Sequence, residues 1–292
     1  MIKLRQFTRQ VLEEMNFKPS KKLGQNFLIN NGIFKKIVTF SGLGPDHIVL
    51  EIGPGLGGLT QTCASVAHAV WAVEIDWRLF RYLKEHVSED HVSYLRDDIV
   101  NMDVEALVNA FSNQYPHKKL VVMGNLPYSI STEILMRLMR IRKPEFEMVF
   151  MLQKEFVDRL KARPRSDGYG EIALLFESAC IMDVGFKVNK RDFYPVPGVD
   201  SIVIRIRFKD NLPEMPDQPL LWQIIRAGFS QRRKMLKNAL TNSDSFPYTV
   251  SNIEAALQRC HISDYIRAEE LALQDFVHIV LALNELENPD IL

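Results

Sequence analysis

The chain has 292 residues, of which 47% are hydrophobic and 25% charged, and its 36 basic residues balance its 36 acidic ones. This composition excludes a disordered chain, a collagen and a coiled-coil rod, and the zero net charge argues against a uniformly basic coat protein for nucleic acid. The length predicts one large domain or two unequal ones.

The first 46 residues predict a basic arm and one helix, and strand and helix patterns alternate from residue 47 onwards. Strands are predicted at 47–52, 69–75, 92–95, 120–123 and 148–152. Helices are predicted at 59–67, 77–86, 104–111, 132–141, 155–162 and 171–179. Strand patterns at 184–188 and 201–208 close this part of the chain as an antiparallel pair. The alternation predicts an α/β fold with parallel strands, whose ligand crevice lies at their carboxyl ends.

A second, helical part follows a stretch rich in proline. Residues 210–217 show no periodicity and predict a linker. Helices are predicted beyond it at 221–229, 232–241, 251–259 and 268–285. We therefore expect a first domain at 1–209, including the basic arm, and a small all-α domain at 218–292.

A glycine loop lies between the first predicted strand and its helix. Gly53, Gly55 and Gly58 satisfy the pattern G-x-G-x-x-G, which allows a tight turn and close approach of the backbone to a bound nucleotide. Glu74 ends the next strand, where a carboxylate can accept hydrogen bonds from ribose hydroxyls. The alternative is a glycine turn with a structural role only.

The residues around this loop favour S-adenosylmethionine over a nicotinamide dinucleotide. A dinucleotide needs its pyrophosphate held, yet no lysine or arginine follows the glycines. Acids lie there instead: Glu51 before the loop, Glu74 after the second strand and Asp98 after the third. Asp98 is placed to accept from the adenine amino group of the cofactor, with Asp97 as the alternative.

The loop Asn125-Leu-Pro-Tyr128 follows the fourth parallel strand. One exocyclic amine can donate hydrogen bonds to both the Asn125 side-chain oxygen and a nearby backbone carbonyl. We choose Pro127 for that carbonyl. Such acceptors stabilise positive charge developing on the nitrogen of an adenine, while Tyr128 stacks on the flipped base. Methyl transfer of this kind requires alignment but no metal. An ordinary turn with a core tyrosine is the alternative.

Together these motifs are highly specific, and the chain resembles the ribosomal RNA adenine dimethyltransferase family over essentially its whole length. Within this family it resembles the small-subunit (16S) branch, associated with kasugamycin sensitivity. Further motifs that carry the resemblance are Leu23-Gly-Gln-Asn-Phe-Leu28, Met151-Leu-Gln-Lys-Glu155, Pro195-Val-Pro-Gly-Val-Asp-Ser201 and Phe229-Ser-Gln-Arg-Arg-Lys234. Two departures are the double aspartate at 97–98 and Gly198, where a polar or basic residue is expected.

The resemblance implies a Rossmann-like class I methyltransferase. It would transfer methyl groups from S-adenosylmethionine to N6 of two adjacent adenosines near the 3′ end of small-subunit rRNA. Asn26 and Leu28 would contact the cofactor, together with Gly53, Gly55, Glu74, Asp98 and Asn125. Phe193 would form the second face of a base sandwich with Tyr128. The alternatives are a large-subunit (23S) methyltransferase of the macrolide-resistance type, a noncatalytic assembly or transcription factor of the same fold and, from the glycine loop, a nicotinamide dehydrogenase.

Five basic residues without an intervening acid lie near the start of the helical part: Arg226, Arg232, Arg233, Lys234 and Lys237. They predict an RNA-binding surface that holds phosphates, with a solvated helix face as the alternative. The partner would be small-subunit rRNA or the immature small subunit, bound by a monomer.

Cysteine usage and the chain start bear on location. The three cysteines are far apart and show no metal-ligand spacing, so neither a disulfide scaffold nor a metal site is expected. No apolar run is long enough to span a bilayer, and the first residues lack a signal-peptide core. We expect a cytoplasmic protein.

Overall fold

The computed structural model describes residues 2–20, 23–127, 130–139, 141, 146–209, 218–243 and 246–287. The chain divides into two compact units, one made of Met1–Lys154 with Ile181–Phe208 and the other of Glu155–Cys180 with Lys209–Leu292. The segment 155–180, which the sequence placed in the first domain, therefore packs within the second unit. The expected linker at 210–217 lies outside the described residues.

The first unit is built on a mixed sheet. Its strands are β2 (His47–Ile52), β3 (Ala69–Glu74), β4 (Val92–Arg96), β5 (Lys119–Asn125), β6 (Phe146–Gln153), β7 (Cys180–Val188) and β9 (Ser201–Phe208). They lie in the order β4-β3-β2-β5-β6-β9-β7. The strands from β4 to β6 in this order are parallel, and β9 runs antiparallel to β6. The alternating pattern thus produces the expected parallel core.

A second, two-stranded sheet joins distant parts of this unit. In it β1 (Phe27–Leu28) pairs antiparallel with β8 (Phe193–Tyr194), so that Phe27 lies opposite Tyr194 and Leu28 opposite Phe193. The N-terminal segment is thereby fixed beside the strand ends. Nothing local in the sequence indicates this pairing, because its partners are far apart along the chain.

Helices of the first unit connect and flank the strands: α1 (Ile2–Glu14), α2 (Asn31–Ser41), α3 (Gly58–Ala64), α4 (Trp77–His86), α5 (Val104–Gln114) and α6 (Ser131–Leu138). Side-chain caps explain several starts. Asn30, Asp76 and Asp103 accept from backbone N–H groups in the first turns of α2, α4 and α5. The first 46 residues thus contain two helices, where the sequence predicted one.

The second unit is helical and has its own apolar core. Its helices are α7 (Lys154–Leu160), which begins at the unit boundary, α8 (Glu171–Ala179), α9 (Gln218–Ser230), α10 (Leu236–Thr241), α11 (Val250–Arg259) and α12 (Leu273–Glu287). No helix among the described residues is long and apolar enough to cross a membrane.

Two predicted helices of the second unit are shorter than expected. The helix predicted at 232–241 begins only at Leu236, whose N–H donates to the Ile266 carbonyl (2.7 Å), so Arg232, Arg233 and Lys234 lie in turns. The helix predicted at 268–285 is divided into a 3₁₀ turn, Ala268–Glu270, and α12. There the Asp275 carboxylate accepts from Ala272 N (2.8 Å) and caps a new helix start.

Candidate active site

A cavity lies at the carboxyl ends of β2, β3 and β5, where the topology of an open α/β sheet predicts a ligand site. We call it the cofactor cavity. It lies within the first unit and is lined by the segment Leu23–Phe27, the glycine loop, the ends of β2, β3 and β5, and the residues after β4. The lining residues are Leu23, Gly24, Gln25, Asn26, Phe27, Ile52, Gly53, Gly55, Val73, Glu74, Ile75, Leu79, Asp97, Asp98, Ile99, Asn125, Pro127 and Ile130.

The glycine loop turns sharply where β2 gives way to α3. Gly53 and Gly55 have φ values of 68° and 60°, in the left-handed region that favours glycine. A Cβ on Gly58 would lie 2.5 Å from the Phe34 ring, so only glycine lets α3 pack this closely on α2. The loop therefore brings bare backbone to the cavity, as the motif predicted.

Glu74 ends β3 and lines the cofactor cavity with a buried carboxyl group. Its Oε1 accepts from Asp76 N (2.9 Å). Burial raises the pKa of Glu74 to about 7, although hydrogen bonds from backbone N–H groups oppose the shift. A carboxylate held this way can accept from two hydroxyl groups of a ligand once it is ionised.

Both aspartates after β4 line the cavity. Asp98 is half-buried, and its oxygens accept from Val100 N (2.9 Å) and Asn101 Nδ2 (2.8 Å). Asp97 is exposed and accepts from Asp98 N (2.7 Å). More hydrogen bonds hold Asp98 than Asp97, but the choice between them stays a prediction.

Asn125 carries a buried acceptor that has no hydrogen-bond partner among the described residues. Its Nδ2 donates to the Asn26 carbonyl (3.0 Å), which fixes the orientation of the amide because a carbonyl can only accept. The Oδ1 atom is then buried and receives no hydrogen bond from the described residues. Since an unsatisfied buried acceptor is costly, this atom is suited to a donor supplied by a ligand.

The other residues predicted to contact the acceptor base do not present a free group to the cofactor cavity in the described part of the chain. The Pro127 carbonyl, our chosen second acceptor, already accepts from Ile130 N (3.1 Å) and Ser131 Oγ (2.9 Å). Tyr128 lies outside the described residues. The Phe193 ring is fully buried in the core cluster of the first unit, so in this conformation it offers no face to a base.

Every predicted cofactor residue except Leu28 lines the cofactor cavity. Leu28 instead lines a neighbouring cavity, which is shared by α1, α2 and the glycine loop and which also contains Glu51. Glu51 is buried and accepts from Thr60 Oγ1 (2.6 Å), and burial raises its pKa to about 7. Glu51 was expected among the acids of the loop but not as a buried site residue. Its position in a fully apolar strand pattern was the available signal.

The five predicted RNA-binding residues belong to the second unit and fall into two groups. Three are paired with acids: Arg226 with Glu171 (3.0 Å), Arg232 with Glu269 (2.8 Å) and Lys237 with Glu254 (2.8 Å). Arg233 and Lys234 are exposed and form no ion pair with any residue that the structure describes. These two side chains are free to bind an anion.

Two solved structures share the fold of this chain. A crystal structure of a dimethyladenosine transferase from Plasmodium falciparum matches with a TM-score of 0.70 at 24% identity, covering 89% of this chain and 98% of that one. The crystal structure of the 23S rRNA methyltransferase ErmE matches with a TM-score of 0.60 at 21% identity, covering 88% of this chain and 99% of that one. Sheet, glycine loop and strand-end cavity define a Rossmann-like, S-adenosylmethionine-dependent methyltransferase with a helical C-terminal part, as predicted.

Sequence comparison identifies the family. The model of the ribosomal RNA adenine dimethylase family matches residues 16–285. Proteins named ribosomal RNA small subunit methyltransferase A are 37% identical over 281 residues in Streptococcus thermophilus (95% of this chain, 96% of the relative). In Latilactobacillus sakei the identity is 37% over 282 residues (95% and 94%). The chain belongs to the ribosomal RNA adenine dimethylase family, which confirms the resemblance.

Proposed function

We propose that this chain transfers methyl groups from S-adenosylmethionine to N6 of two adjacent adenosines in the 3′-terminal hairpin of small-subunit (16S) rRNA. The product would be two N6,N6-dimethyladenosines, formed during biogenesis of the small subunit. Family membership and the names of the relatives support the substrate. The structural observation that carries the chemistry is the buried Oδ1 of Asn125 at the cofactor cavity, which receives no hydrogen bond within the described part of the chain.

The lining of the cofactor cavity fits this methyl donor. Among the described residues, the lining includes Glu74, Asp97 and Asp98 and neither lysine nor arginine. Such a set suits a ligand with a sulfonium and an ammonium group and offers nothing to a pyrophosphate, which disfavours the nicotinamide alternative. When bound, S-adenosylmethionine supplies an electrophilic methyl group on positively charged sulfur, so the proposed reaction needs neither a metal nor a strong base.

Each group in the cavity has a proposed role. Glu74 accepts from the ribose hydroxyls, and Asp98, with Asp97 as the alternative, accepts from the adenine amino group of the donor. Gly53 and Gly55 allow close approach of the backbone. Asn26 fixes the Asn125 amide through its carbonyl (3.0 Å), which supports Asn26 as an indirect contributor to the site.

At the acceptor base, Asn125 Oδ1 accepts one hydrogen bond from the exocyclic amine. The Leu126 carbonyl is the better second acceptor, because no described donor reaches it whereas the Pro127 carbonyl is already engaged twice. Two acceptors on one amine favour a tetrahedral nitrogen and stabilise the charge that develops during transfer. The base sandwich of Tyr128 and Phe193 stays a proposal, and its Phe193 half requires the buried ring to become exposed.

The proposed substrate is the rRNA of an immature small subunit in the cytoplasm. We propose that the chain acts as a monomer. Arg233 and Lys234 are the proposed phosphate contacts, since no described carboxylate neutralises them.

The test is a mass-spectrometric map of dimethyladenosine in both rRNAs of a deletion strain. We expect the 16S modification to disappear and to return with the wild-type gene but not with Asn125→Ala. Asn113→Ala, on the exposed face of α5, is the matched control and should restore it. Loss confined to 23S rRNA would instead support the macrolide-resistance type of enzyme. Full methylation by Asn125→Ala would refute the role of its Oδ1.

A further inference from the structure

Three turns of the second unit are joined into one surface. Arg165 N donates to the Glu269 carbonyl (2.8 Å), and Leu236 N donates to the Ile266 carbonyl (2.7 Å). An ion pair between Arg232 and Glu269 (2.8 Å) links the same segments. We call this region, made by residues 163–168, 231–236 and 263–270, the turn surface. Its backbone hydrogen bonds hold the three segments next to one another.

Tyr265 projects from the turn surface. It is 77% exposed, more than any other large hydrophobic side chain among the described residues. Its backbone is held in the turn, since Tyr265 N donates to Ser263 Oγ (3.3 Å). Packing therefore does not explain an aromatic residue here, and the turn presents the ring to solvent.

Unpaired cations share this surface with the ring. Arg233, Lys234 and Arg267 are exposed and form no ion pair with a described residue. Two of the four acids of the turn surface are engaged, because Glu269 pairs with Arg232 (2.8 Å) and Glu270 with Arg165 (3.6 Å). The other two acids, Asp167 and Asp264, are exposed and form no ion pair with a described residue, so three unpaired cations share the surface with two unpaired acids. An exposed aromatic ring among free cations is complementary to a base with its flanking phosphates.

We propose that Tyr265 stacks on an unpaired base of the rRNA substrate while Arg233, Lys234 and Arg267 bind neighbouring phosphates. The inference rests on the proposed function for its RNA partner. RNA offers such bases in loops, bulges and ends, where aromatic side chains can reach their faces. Stacking tolerates any base, so Tyr265 contributes affinity and position rather than sequence recognition.

The experiment measures binding to small subunits purified from the deletion strain, over a range of salt concentrations. Tyr265→Ala should weaken binding about tenfold at every salt concentration, because stacking releases no counterions. Tyr265→Phe should bind as the wild type does, since it retains the ring. Affinity for S-adenosylhomocysteine should be unchanged in both variants. Binding by Tyr265→Ala within twofold of the wild type would overturn the proposal.

A crosslink identifies the partner directly. With p-benzoylphenylalanine incorporated at position 265, irradiation of the complex should give a protein–rRNA crosslink. Crosslinking to ribosomal protein alone, or no crosslink to RNA, would count against base stacking. A methylation assay with the wild-type chain on the same subunits distinguishes failure of base stacking from failure of the proposed function. If the proposed function were wrong, the subunits would remain unlabelled.

Discussion

Two carboxyl groups, Glu51 and Glu74, are buried at the ends of neighbouring strands beside the glycine loop. Neither forms an ion pair with a described residue, and each is held by hydrogen bonds, from Thr60 Oγ1 to Glu51 and from Asp76 N to Glu74. Burial disfavours the charged form and raises the pKa of both groups to about 7. Their protonation therefore changes over the range in which the protein would work.

Replacement of Glu74 by glutamine should change both the strength and the pH dependence of cofactor binding. In the wild type, protonation below about pH 7 removes an acceptor, so affinity for S-adenosylhomocysteine should fall as the pH is lowered from 8 to 6. Glu74→Gln should bind weakly at both pH values, with RNA affinity little changed. Titration calorimetry measures this, with exposed Glu89→Gln as control. An equal pH dependence in wild type and Glu74→Gln would contradict the assignment.

Glu51→Gln should stabilise the free protein at alkaline pH. The pKa of Glu51 is about 7 when folded against an ordinary value of 4.5, so the native state binds more protons between these values. Stability should therefore fall as the pH rises through this window. Glutamine keeps an acceptor for Thr60 and removes the buried charge.

Denaturant unfolding at pH 5 and pH 8 measures the effect. The advantage of Glu51→Gln should be about 1–3 kcal/mol at pH 8 and should shrink towards zero near pH 4.5. If the difference in free energy of unfolding between variant and wild type were the same at both pH values, Glu51 would not be the titrating group.

At the scale of elements, the close packing of α3 on α2 depends on Gly58. Gly58→Ala places a Cβ 2.5 Å from the Phe34 ring, so the helices must separate or the ring must move. We expect a loss of about 1–3 kcal/mol in the free energy of unfolding. Gly44→Ala is the control, since its Cβ would meet no atom within 4 Å.

A double-mutant cycle with Phe34→Leu tests the cause of that loss. If the ring is responsible, Gly58→Ala should cost less in the Phe34→Leu background than in the wild type. Additive losses would mean that the backbone conformation, rather than Phe34, demands glycine.

Elements defined by local pattern were predicted closely, and those defined by distant contacts were not. The bounds of β2, α4, α8 and β9 match the sequence expectation, because periodicity and flanking caps are local signals. The start of α10 at Leu236 depends instead on a hydrogen bond to Ile266. The assignment of 155–180 to the second unit likewise reflects long-range packing.

The same distinction holds for the site. Gly53, Glu74, Asp98 and Asn125 were expected together because strand ends of one parallel sheet converge. The placement of Leu28 and the burial of Phe193 follow from pairing between β1 and β8, which no local motif reveals. The two hydrogen bonds that the Pro127 carbonyl accepts were not predictable for a comparable reason, since they depend on how the chain turns into α6.

For the whole molecule, a net charge of zero conceals an uneven distribution of free cations. Carboxylates of the second unit already neutralise Arg226, Arg232 and Lys237, whereas Arg233 and Lys234 have no such partner within the described residues. A cation that is already paired releases fewer counterions from RNA when it meets a phosphate. The five basic residues should therefore contribute unequally to RNA binding.

Salt dependence distinguishes the two groups. Arg233→Ala should make the negative slope of log affinity against log salt concentration shallower by about 0.7–0.9, the value for one phosphate contact. Arg226→Ala should lower it by clearly less, because Glu171 holds that guanidinium (3.0 Å) in the free protein. Filter binding to deletion-strain subunits measures both slopes. If Arg233→Ala left the slope unchanged, Arg233 would lie outside the RNA-binding surface. Equal reductions would show that the Arg226–Glu171 pair opens on binding and that ion pairing in the free protein does not select the contacts.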